Sequence, residues 1–201
     1  MHIVFYGPEG SGKGTQAKLL ADALHLPILT SGDLVRDAAA NDKGIIGEVC
    51  RQALVEGKYV ADSEMFVLWK WRLKEEDAKG GWIMDGFPRN VEQAKFLDDK
   101  IDKYGYKVEK VLYLDQSEEE SYRRLIARKR QLHPGSIETG DTPERIKTRI
   151  AMYKEAEKAV LDYYRANGVL VEINADQPIE KVHAQIMQQI NGTTTTPMPI
   201  H

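Results

Sequence analysis

The sequence contains a single cysteine, Cys50, among its 201 residues. One thiol cannot form a disulfide within the chain, and together with 5 scattered histidines it makes a poor metal cage. No stretch approaches the roughly 20 apolar residues that a membrane-spanning helix needs, and no charged leader precedes the first apolar run. We therefore expect a soluble protein of a reducing compartment, the cytoplasm.

Neither sign of charge is in large excess. The chain has 28 Lys plus Arg and 31 Asp plus Glu, a net charge of -3, so no overall positive charge is available to hold a nucleic acid. A composition of 42% hydrophobic and 29% charged residues excludes a disordered or low-complexity chain. We expect one domain over residues 1–191 and, because threonines and prolines there offer nothing to bury, a flexible tail over 192–201.

Short apolar runs alternate with longer helical patterns along the chain. The runs are almost continuously apolar, which is typical of a parallel sheet covered on both faces. Serine, threonine or asparagine at Asn90, Ser117 and Thr142 marks three helix starts. The pattern predicts an α/β fold with a doubly wound parallel sheet. Its strand candidates are residues 3–6, 27–30, 81–85, 108–115 and 169–174.

Two segments interrupt the alternation. Residues 31–78 contain three consecutive helical patterns, and residues 129–141 are polar and rich in turn formers. Insertions beside a parallel sheet suit a site that closes over two substrates, although spacer helices without a role are an equally open interpretation at this point.

Residues 7–16, GPEGSGKGTQ, follow the first strand and open the first helix. Glycines allow the backbone amides to turn inward around one anion, and the helix N-terminus adds a favourable dipole. Lys13 supplies a mobile positive charge. The segment therefore predicts a loop that binds phosphate. It departs from the commonest pattern because Gly14 stands directly after the lysine, which displaces Thr15 by one position.

Charged side chains collect around this loop in the predicted fold. Asp85 ends a strand, at the edge where open α/β sheets bind ligands, and can reach the water ligands of a nucleotide-bound Mg²⁺. Arginines lie four apart on two successive helices, so each pair shares a helix face and can hold phosphate oxygens. These pairs are Arg124 with Arg128 and Arg145 with Arg149, and Arg36 and Arg89 add two more.

So many arginines indicate a reaction between two phosphate groups, in which the group that accepts the transferred phosphate is also an anion. Repulsion between the two groups must be overcome before one attacks the other. A phosphate monoester, whose second pKa is about 6, is largely ionised at neutral pH and needs no general base. We therefore expect no catalytic histidine. His25, His133 and His183 are interpreted as surface or packing residues.

The chain resembles the nucleoside monophosphate kinases and, among them, the adenylate kinase branch. The resemblance covers residues 1 to about 190 and is carried by GPEGSGKGTQ at 7–16, TSGDLVR at 30–36, EGKYV at 56–60 and DGFPRN at 85–90. It implies a five-stranded parallel sheet of the P-loop NTPase type. It also implies a helical insert that binds the monophosphate, about 30–60, and a short lid over the triphosphate, about 128–141.

The resemblance implies roles for individual residues. ATP would bind to Gly10, Ser11, Gly12, Lys13, Gly14, Thr15, Arg124, Arg128 and Gln177. AMP would bind to Ser31, Arg36, Lys58, Tyr59, Val60, Gly86, Phe87, Pro88, Arg89, Gln93 and Arg149. Catalysis would rest on Lys13, Arg89, Arg128 and Arg149. Asp33 and Asp85 would position Mg²⁺ through water molecules.

The lid is where the resemblance weakens. Relatives carry an arginine and two aspartates in this segment, whereas this chain has Glu138, Gly140 and Asp141. Arg130 or Arg145 could replace the missing arginine, or the site could operate with fewer charges. The segment is short and has no cysteine, so no structural zinc is expected.

The implied reaction is reversible Mg-dependent transfer of the γ-phosphoryl group of ATP to AMP, giving two ADP, in a monomer without nucleic-acid or membrane partners. A UMP/CMP kinase is the first alternative. Ser31 and Gln93 favour AMP, because such a relative is expected to have alanine and asparagine at these positions. The second alternative is a nucleotide-dependent switch or binding module, which predicts slow hydrolysis and no acceptor.

Overall fold

A computed structural model of the chain describes residues 1–128 and 140–192. In this part of the chain, strands and helices alternate as the pattern predicts. The strands are β1 His2–Tyr6, β2 Ile28–Thr30, β3 Trp82–Asp85, β4 Lys110–Asp115 and β5 Leu170–Asn174. The helices are α1 Lys13–Leu24, α2 Ser31–Asn41, α3 Ile45–Glu56, α4 Asp62–Arg72, α5 Val91–Asp102, α6 Glu118–Arg128, α7 Pro143–Ala166 and α8 Ile179–Asn191, with a short 3-10 helix at Glu76–Ala78.

The five strands of the described residues form one sheet in the order β2-β3-β1-β4-β5, and every neighbouring pair is parallel. The fold class predicted from the sequence is confirmed, with strand ends displaced by no more than two residues. Asp85 pairs with Phe5 on one side and with Thr30 on the other. The carboxyl ends of β1, β2 and β3 therefore meet at one edge, next to the strand where the chain order reverses.

The central strand supplies both faces of the core. Ile3 and Phe5 lie in one buried cluster, whereas Val4 and Tyr6 lie in the other, because successive side chains of a strand point to opposite faces. Burial on both faces explains why the strands read as continuous apolar runs. A sheet packed this way is a rigid base for the loops that follow its strands.

The predicted helix starts are confirmed. The side chain of Thr142 accepts a hydrogen bond from the Arg145 amide, and Asn90 Oδ1 accepts one from the Gln93 amide at 2.8 Å. Ser117 Oγ accepts a longer bond, 3.4 Å, from the Glu120 amide at the start of α6. These caps satisfy amide groups at the starts of α5, α6 and α7.

The first predicted insertion is observed as the three helices α2, α3 and α4. Most of the second lies outside the described residues, together with His133, Glu138 and Arg130, and so does the tail beyond Gly192. None of the helices described is long and apolar enough to cross a membrane.

Candidate active site

Two adjoining cavities open at the carboxyl edge of the sheet. The larger has a volume of about 820 Å³ and is lined by the loop after β1, the ends of β2 and β3, and residues of α6. This volume lies within the range of small-molecule sites. The smaller, about 120 Å³, lies between the loop and the α2–α3 insert. Both cavities are lined by Glu9, Ser31, Gly32, Arg36, Tyr59 and Arg89.

The loop between β1 and α1 lines the larger cavity with the residues predicted to bind phosphate. Its sharp path depends on glycine: at Gly7, φ is +141°, and an added Cβ would lie 2.6 Å from the Leu114 carbonyl oxygen. At Gly10, φ is +89° and an added Cβ would lie 2.9 Å from the Ser121 carbonyl oxygen. Larger residues are therefore excluded where the loop crosses β4 and α6. The lining residues are Gly7, Glu9, Gly10, Ser11, Gly12, Lys13, Gly14 and Thr15.

Lys13 is the first residue of α1 and lines the larger cavity. Its Nζ donates to the carbonyl oxygens of Gly7 and Pro8, at 2.8 Å and 2.7 Å. Burial lowers the pKa of Lys13, although the negative charges of Asp85 and Glu9 oppose this effect. The ammonium group is held by two neutral carbonyls that an incoming phosphate oxygen can replace.

Two carboxylates face the same cavity from the ends of neighbouring strands. Burial raises the pKa of Asp85, and the charges of Lys13 and Arg89 only partly oppose it. Asp33 lies in the first turn of α2; burial raises its pKa, but hydrogen bonds from Thr30 and Arg36 outweigh this and leave the pKa lowered. Both predicted metal-positioning carboxylates thus lie beside the phosphate loop.

Arg128 and Arg149 are brought together by one carboxylate. The buried side chain of Asp141 accepts from Arg128 Nε and Nη2 at 2.8 Å and 2.9 Å, and from Arg149 Nη2 at 2.8 Å. Arg149 Nη1 forms a further ion pair with Glu9 Oε2 at 2.8 Å. Two of the predicted catalytic arginines are therefore adjacent and fixed, one at the end of α6 and one on α7.

Arg124 and Gln177 also line the larger cavity. Arg124 donates to Glu120 at 2.6 Å and to the Ala175 carbonyl at 3.2 Å, and Gln177 Nε2 donates to the Asn174 carbonyl. Hydrogen bonds from Arg123 and Arg124 lower the pKa of Glu120 to about 2. The guanidinium group of Arg124 is thus fixed beside the loop after β5, next to Gln177, the other residue predicted to bind ATP at this place.

Arg36 and Arg89, which are predicted to bind AMP, line both cavities. Arg89 donates to the Gly86 carbonyl at 2.9 Å and to Ser31 Oγ at 3.1 Å, and its guanidinium stacks 3.7 Å from the centre of the Tyr59 ring. Arg36 is paired with Asp33 at 2.6 Å. Pro88 lines the larger cavity, and Lys58 and Val60 line the smaller one.

Two residues predicted for this site lie behind it instead. Phe87 is buried against Trp69, and Gln93 is buried with its amide engaged on both sides. Gln93 Oε1 accepts from the Arg89 amide at 2.7 Å and Nε2 donates to Asp62 at 2.6 Å. Neither residue lines either cavity. In this conformation, Gln93 positions Arg89, and reading a base requires one of its hydrogen bonds to be exchanged.

Arg145, considered as a substitute for the missing lid arginine, points elsewhere. Its Nη2 donates to the Val55 carbonyl at 2.6 Å, at the end of α3, and it lines neither cavity. Arg130, the other candidate, is outside the described residues.

Sequence reasoning missed the acidic partners of the arginines. Glu9 stands inside the phosphate loop, where its charge was the available signal, and Asp141 directly precedes the helix start at Thr142. Glu157 was also missed. It accepts from the hydroxyls of Tyr113 and Tyr153 at 2.8 Å and 2.7 Å and so joins β4 to α7.

Glu157 remains ionised in this position. Burial raises its pKa, but hydrogen bonds from Tyr153, Lys154 and Tyr113 outweigh burial and lower the pKa overall. Tyr153 lines the larger cavity one helical turn after Arg149. The carboxylate therefore stabilises the part of α7 from which Arg149 extends.

No group of three or more His, Cys, Asp or Glu side chains within residues 1–128 and 140–192 is arranged to hold a metal ion by itself. Asp33, in the first turn of α2, and Asp85, at the end of β3, are the two aspartates that line the larger cavity among the described residues. They suit a cation that arrives already bound to phosphate.

Comparisons with known proteins agree on one family. The family model described as adenylate kinase matches residues 5–169. Adenylate kinase 1 of Nostoc sp. is 38% identical over 180 residues, which are 90% of this chain and 93% of the relative. Adenylate kinase of Thermobifida fusca is 37% identical over 194 residues, 96% of this chain and 99% of the relative. Adenylate kinase of Streptomyces coelicolor is 32% identical over an alignment of 214 positions, which covers 94% of this chain and 98% of the relative.

Proposed function

The chain belongs to the adenylate kinase family, and we propose that it transfers the γ-phosphoryl group of Mg-bound ATP to AMP, reversibly, giving two ADP. Its family makes it a nucleoside monophosphate kinase, a phosphotransferase. The identity of the acceptor, the dependence on Mg²⁺ and the roles of individual residues are the parts proposed here.

One observation supports a two-nucleotide reaction above all others. The larger cavity contains the phosphate loop, the smaller one lies under the helical insert, and the two meet at a boundary lined by Arg36 and Arg89. Arg149 faces the smaller cavity from this boundary, and Lys13 faces the larger one. A donor and an acceptor phosphate placed in the two cavities would approach each other between these cations.

The proposed mechanism is electrostatic. An AMP phosphate held by Arg36 and Arg89 attacks the γ-phosphorus in line, while Lys13, Arg128 and Arg149 stabilise charge on the transferring oxygens. An ionised phosphate nucleophile needs no general base, so no catalytic histidine is part of the proposal. Arginine suits this role because its fork of donors binds two oxygens at once.

Mg²⁺ fits the residues present. Asp33 and Asp85 offer carboxylate oxygens beside the phosphate loop, and both would act through water ligands. When bound, the ion reduces the repulsion between the phosphates of ATP.

Three features stay predictions: the short lid, the division into a single domain, and the exclusion of water when the site closes. Glu138 of the lid lies outside the described residues. A cytoplasmic protein is expected because of the single cysteine, and a monomer is the default expectation.

The acceptor is proposed to be AMP because of Ser31 and Gln93. Ser31 Oγ donates to the Gly86 carbonyl at 2.7 Å and lies on the boundary of the two cavities. Gln93 can donate and accept hydrogen bonds at one edge of adenine, once it exchanges one of its present partners. A hydroxyl and a long amide at these positions favour a purine over a pyrimidine.

Initial rates of phosphoryl transfer from MgATP to AMP, UMP, CMP and GMP test the proposal, with ATP and water alone as the control. We expect ADP formation with AMP to exceed each other acceptor by at least about tenfold. A preference for UMP or CMP would make the chain a UMP/CMP kinase within the same fold. Slow hydrolysis without use of any acceptor would favour the nucleotide switch and refute phosphotransfer.

A further inference from the structure

Glu9 places a negative charge inside a loop that binds phosphate. Its carboxylate lies 2.8 Å from Arg149 Nη1 and 3.8 Å from Arg128 Nη2, and its charge also acts on Lys13. These are the three cations proposed to hold the transferring phosphoryl group. Glu9 also lines both cavities, so it stands where the two nucleotides are expected to meet.

The hydrogen bonds of Arg149 show what Glu9 occupies. Arg149 Nε donates to the Arg145 carbonyl at 3.3 Å, and Nη2 donates to the Gly140 carbonyl at 3.4 Å and to Asp141 at 2.8 Å. These donors are directed at protein oxygens. Nη1 is the part of the guanidinium left to bind a ligand, and it faces Glu9.

Asp141 provides the contrast. It holds the same two arginines, yet its side chain is fully buried and lines neither cavity, so no ligand can reach it. The Glu9 side chain is 24% exposed and lines both cavities, although Oε2, the oxygen that faces Arg149, is itself buried. Of these two carboxylates, Glu9 is therefore the one that lines the cavities in which ligand oxygens are expected.

We propose that Glu9 occupies the position of a phosphate group in the unliganded enzyme and competes with phosphate ligands for Arg128 and Arg149. A ligand oxygen that bonds to the Nη1 hydrogen on the Glu9 side needs the place of the Glu9 oxygen, and an anion at the other Nη1 hydrogen is still repelled by the nearby carboxylate. Glu9 thus lowers the affinity of the arginine pair for any phosphate ligand. The assignment of these arginines to phosphoryl transfer rests on the proposed function. The competition between Glu9 and a bound anion does not.

The test is the dissociation constant of inorganic pyrophosphate, measured by isothermal titration calorimetry at one ionic strength and without metal. Replacing the carboxylate by an amide in Glu9→Gln removes one competing charge, and we expect pyrophosphate to bind about tenfold more tightly. Glu9→Ala removes the same charge and replaces the first variant if that one does not fold. An unchanged or weaker affinity in a folded Glu9 variant overturns the proposal.

Glu172→Gln is the matched control. Glu172 is also paired with an arginine, Arg165, at 2.9 Å, but it lies on β5 and lines neither cavity. It changes the net charge by the same amount, and we expect its pyrophosphate affinity to stay within about twofold of the wild type. An equal gain in this control would mean that net charge, not the arginine pair, explains the effect.

A double-mutant cycle locates the effect. In an Arg149→Ala background the contested donor is absent, so Glu9→Gln should give less than about half of its gain in log affinity. A full gain in that background would refute competition for Arg149. ADP formation from ATP and AMP is measured separately in the wild type. Failure of that assay would remove the proposed function and leave the result on Glu9 intact.

Discussion

Asp141 is the residue on which the geometry of both lid-side arginines depends. It accepts three hydrogen bonds, at 2.8 Å, 2.9 Å and 2.8 Å, from Arg128 and Arg149. Its side chain has no exposed surface, whereas that of Arg128 is 37% exposed and that of Arg149 is 7% exposed. Asp141→Asn keeps the shape of the side chain and removes the charge.

The magnitude follows from this geometry. Breaking a buried ion pair by removing one partner costs about 3–5 kcal/mol. The Arg128 share must be discounted for solvent screening, and Arg149 keeps Glu9 as a partner, so we expect a loss of about 2–3 kcal/mol in the free energy of unfolding. For a chain of this length, each kcal/mol lowers Tm by about 2–4 °C. Asp141→Asn should therefore unfold about 5–10 °C below the wild type.

Differential scanning calorimetry measures this change, and Asp162→Asn is the control. Asp162 also bridges two cations, Lys158 at 2.6 Å and Arg165 at 2.8 Å, but half of its side chain is exposed. Its variant should stay within about 2 °C of the wild type. An Asp141→Asn protein equally close to the wild type would refute the buried bridge.

The same variant has a kinetic consequence. Arg128 and Arg149 lose a shared anchor, and misplacement of catalytic groups by a fraction of an ångström is costly. We expect kcat for ADP formation to fall by about tenfold or more, with a smaller change in the KM of either nucleotide. Unchanged kcat in a folded variant would show that these arginines do not need Asp141 for their direction.

Three further changes test other parts of the site. Lys13→Ala removes the positive charge proposed to contact the transferring phosphoryl group, so kcat should fall by about 100-fold or more. The far-UV circular dichroism spectrum should stay unchanged. Near-normal turnover in the folded variant would refute the proposed role of Lys13. Gln93→Asn is too short to hold both Asp62 and the Arg89 amide, so the KM for AMP should rise about tenfold. An unchanged KM for AMP, with the KM for ATP as internal control, would contradict that role. Glu157 has a lowered pKa, so its ionised form stabilises the fold above the unfolded-state pKa of about 4.3, and this stability is lost as pH falls through the folded-state pKa. Glu157→Gln should therefore lose less stability than the wild type between about pH 5 and pH 3 in urea titrations, and identical pH profiles would contradict this.

The fold could be predicted from the sequence because its signals are local. Apolar runs mark the strands, and capping residues such as Asn90 and Thr142 bond to amides only three residues away. The glycines of the loop are local signals as well, because positions such as Gly7 and Gly10 need a positive φ that other residues rarely adopt. For these features, spacing along the chain and spacing in the structure nearly coincide.

The partners of the cations could not be predicted in the same way. Glu9 and Arg149 are 140 positions apart in the numbering and meet only because the fold brings the loop after β1 next to the first turns of α7. The sequence predicts Gln93 as an AMP-binding residue, but the packing of α4 beside α5 brings Asp62 within reach of its amide. Residue type indicates what a side chain can bind, whereas topology decides which partner is available.

Charge balance explains why oxygen atoms of the protein pair with the cations of the site. Cations gathered at one edge would repel one another in the unliganded protein, and each has an oxygen partner in the structure: carbonyls for Lys13, carboxylates for Arg36, Arg128 and Arg149, and Gly86 with Ser31 for Arg89. Substrate phosphates must replace some of these oxygens before transfer. The net affinity is then a difference between two sets of hydrogen bonds. Because affinity differences between related complexes appear mostly in the dissociation rate, weaker net phosphate binding is expected to speed the release of products that resemble the substrates.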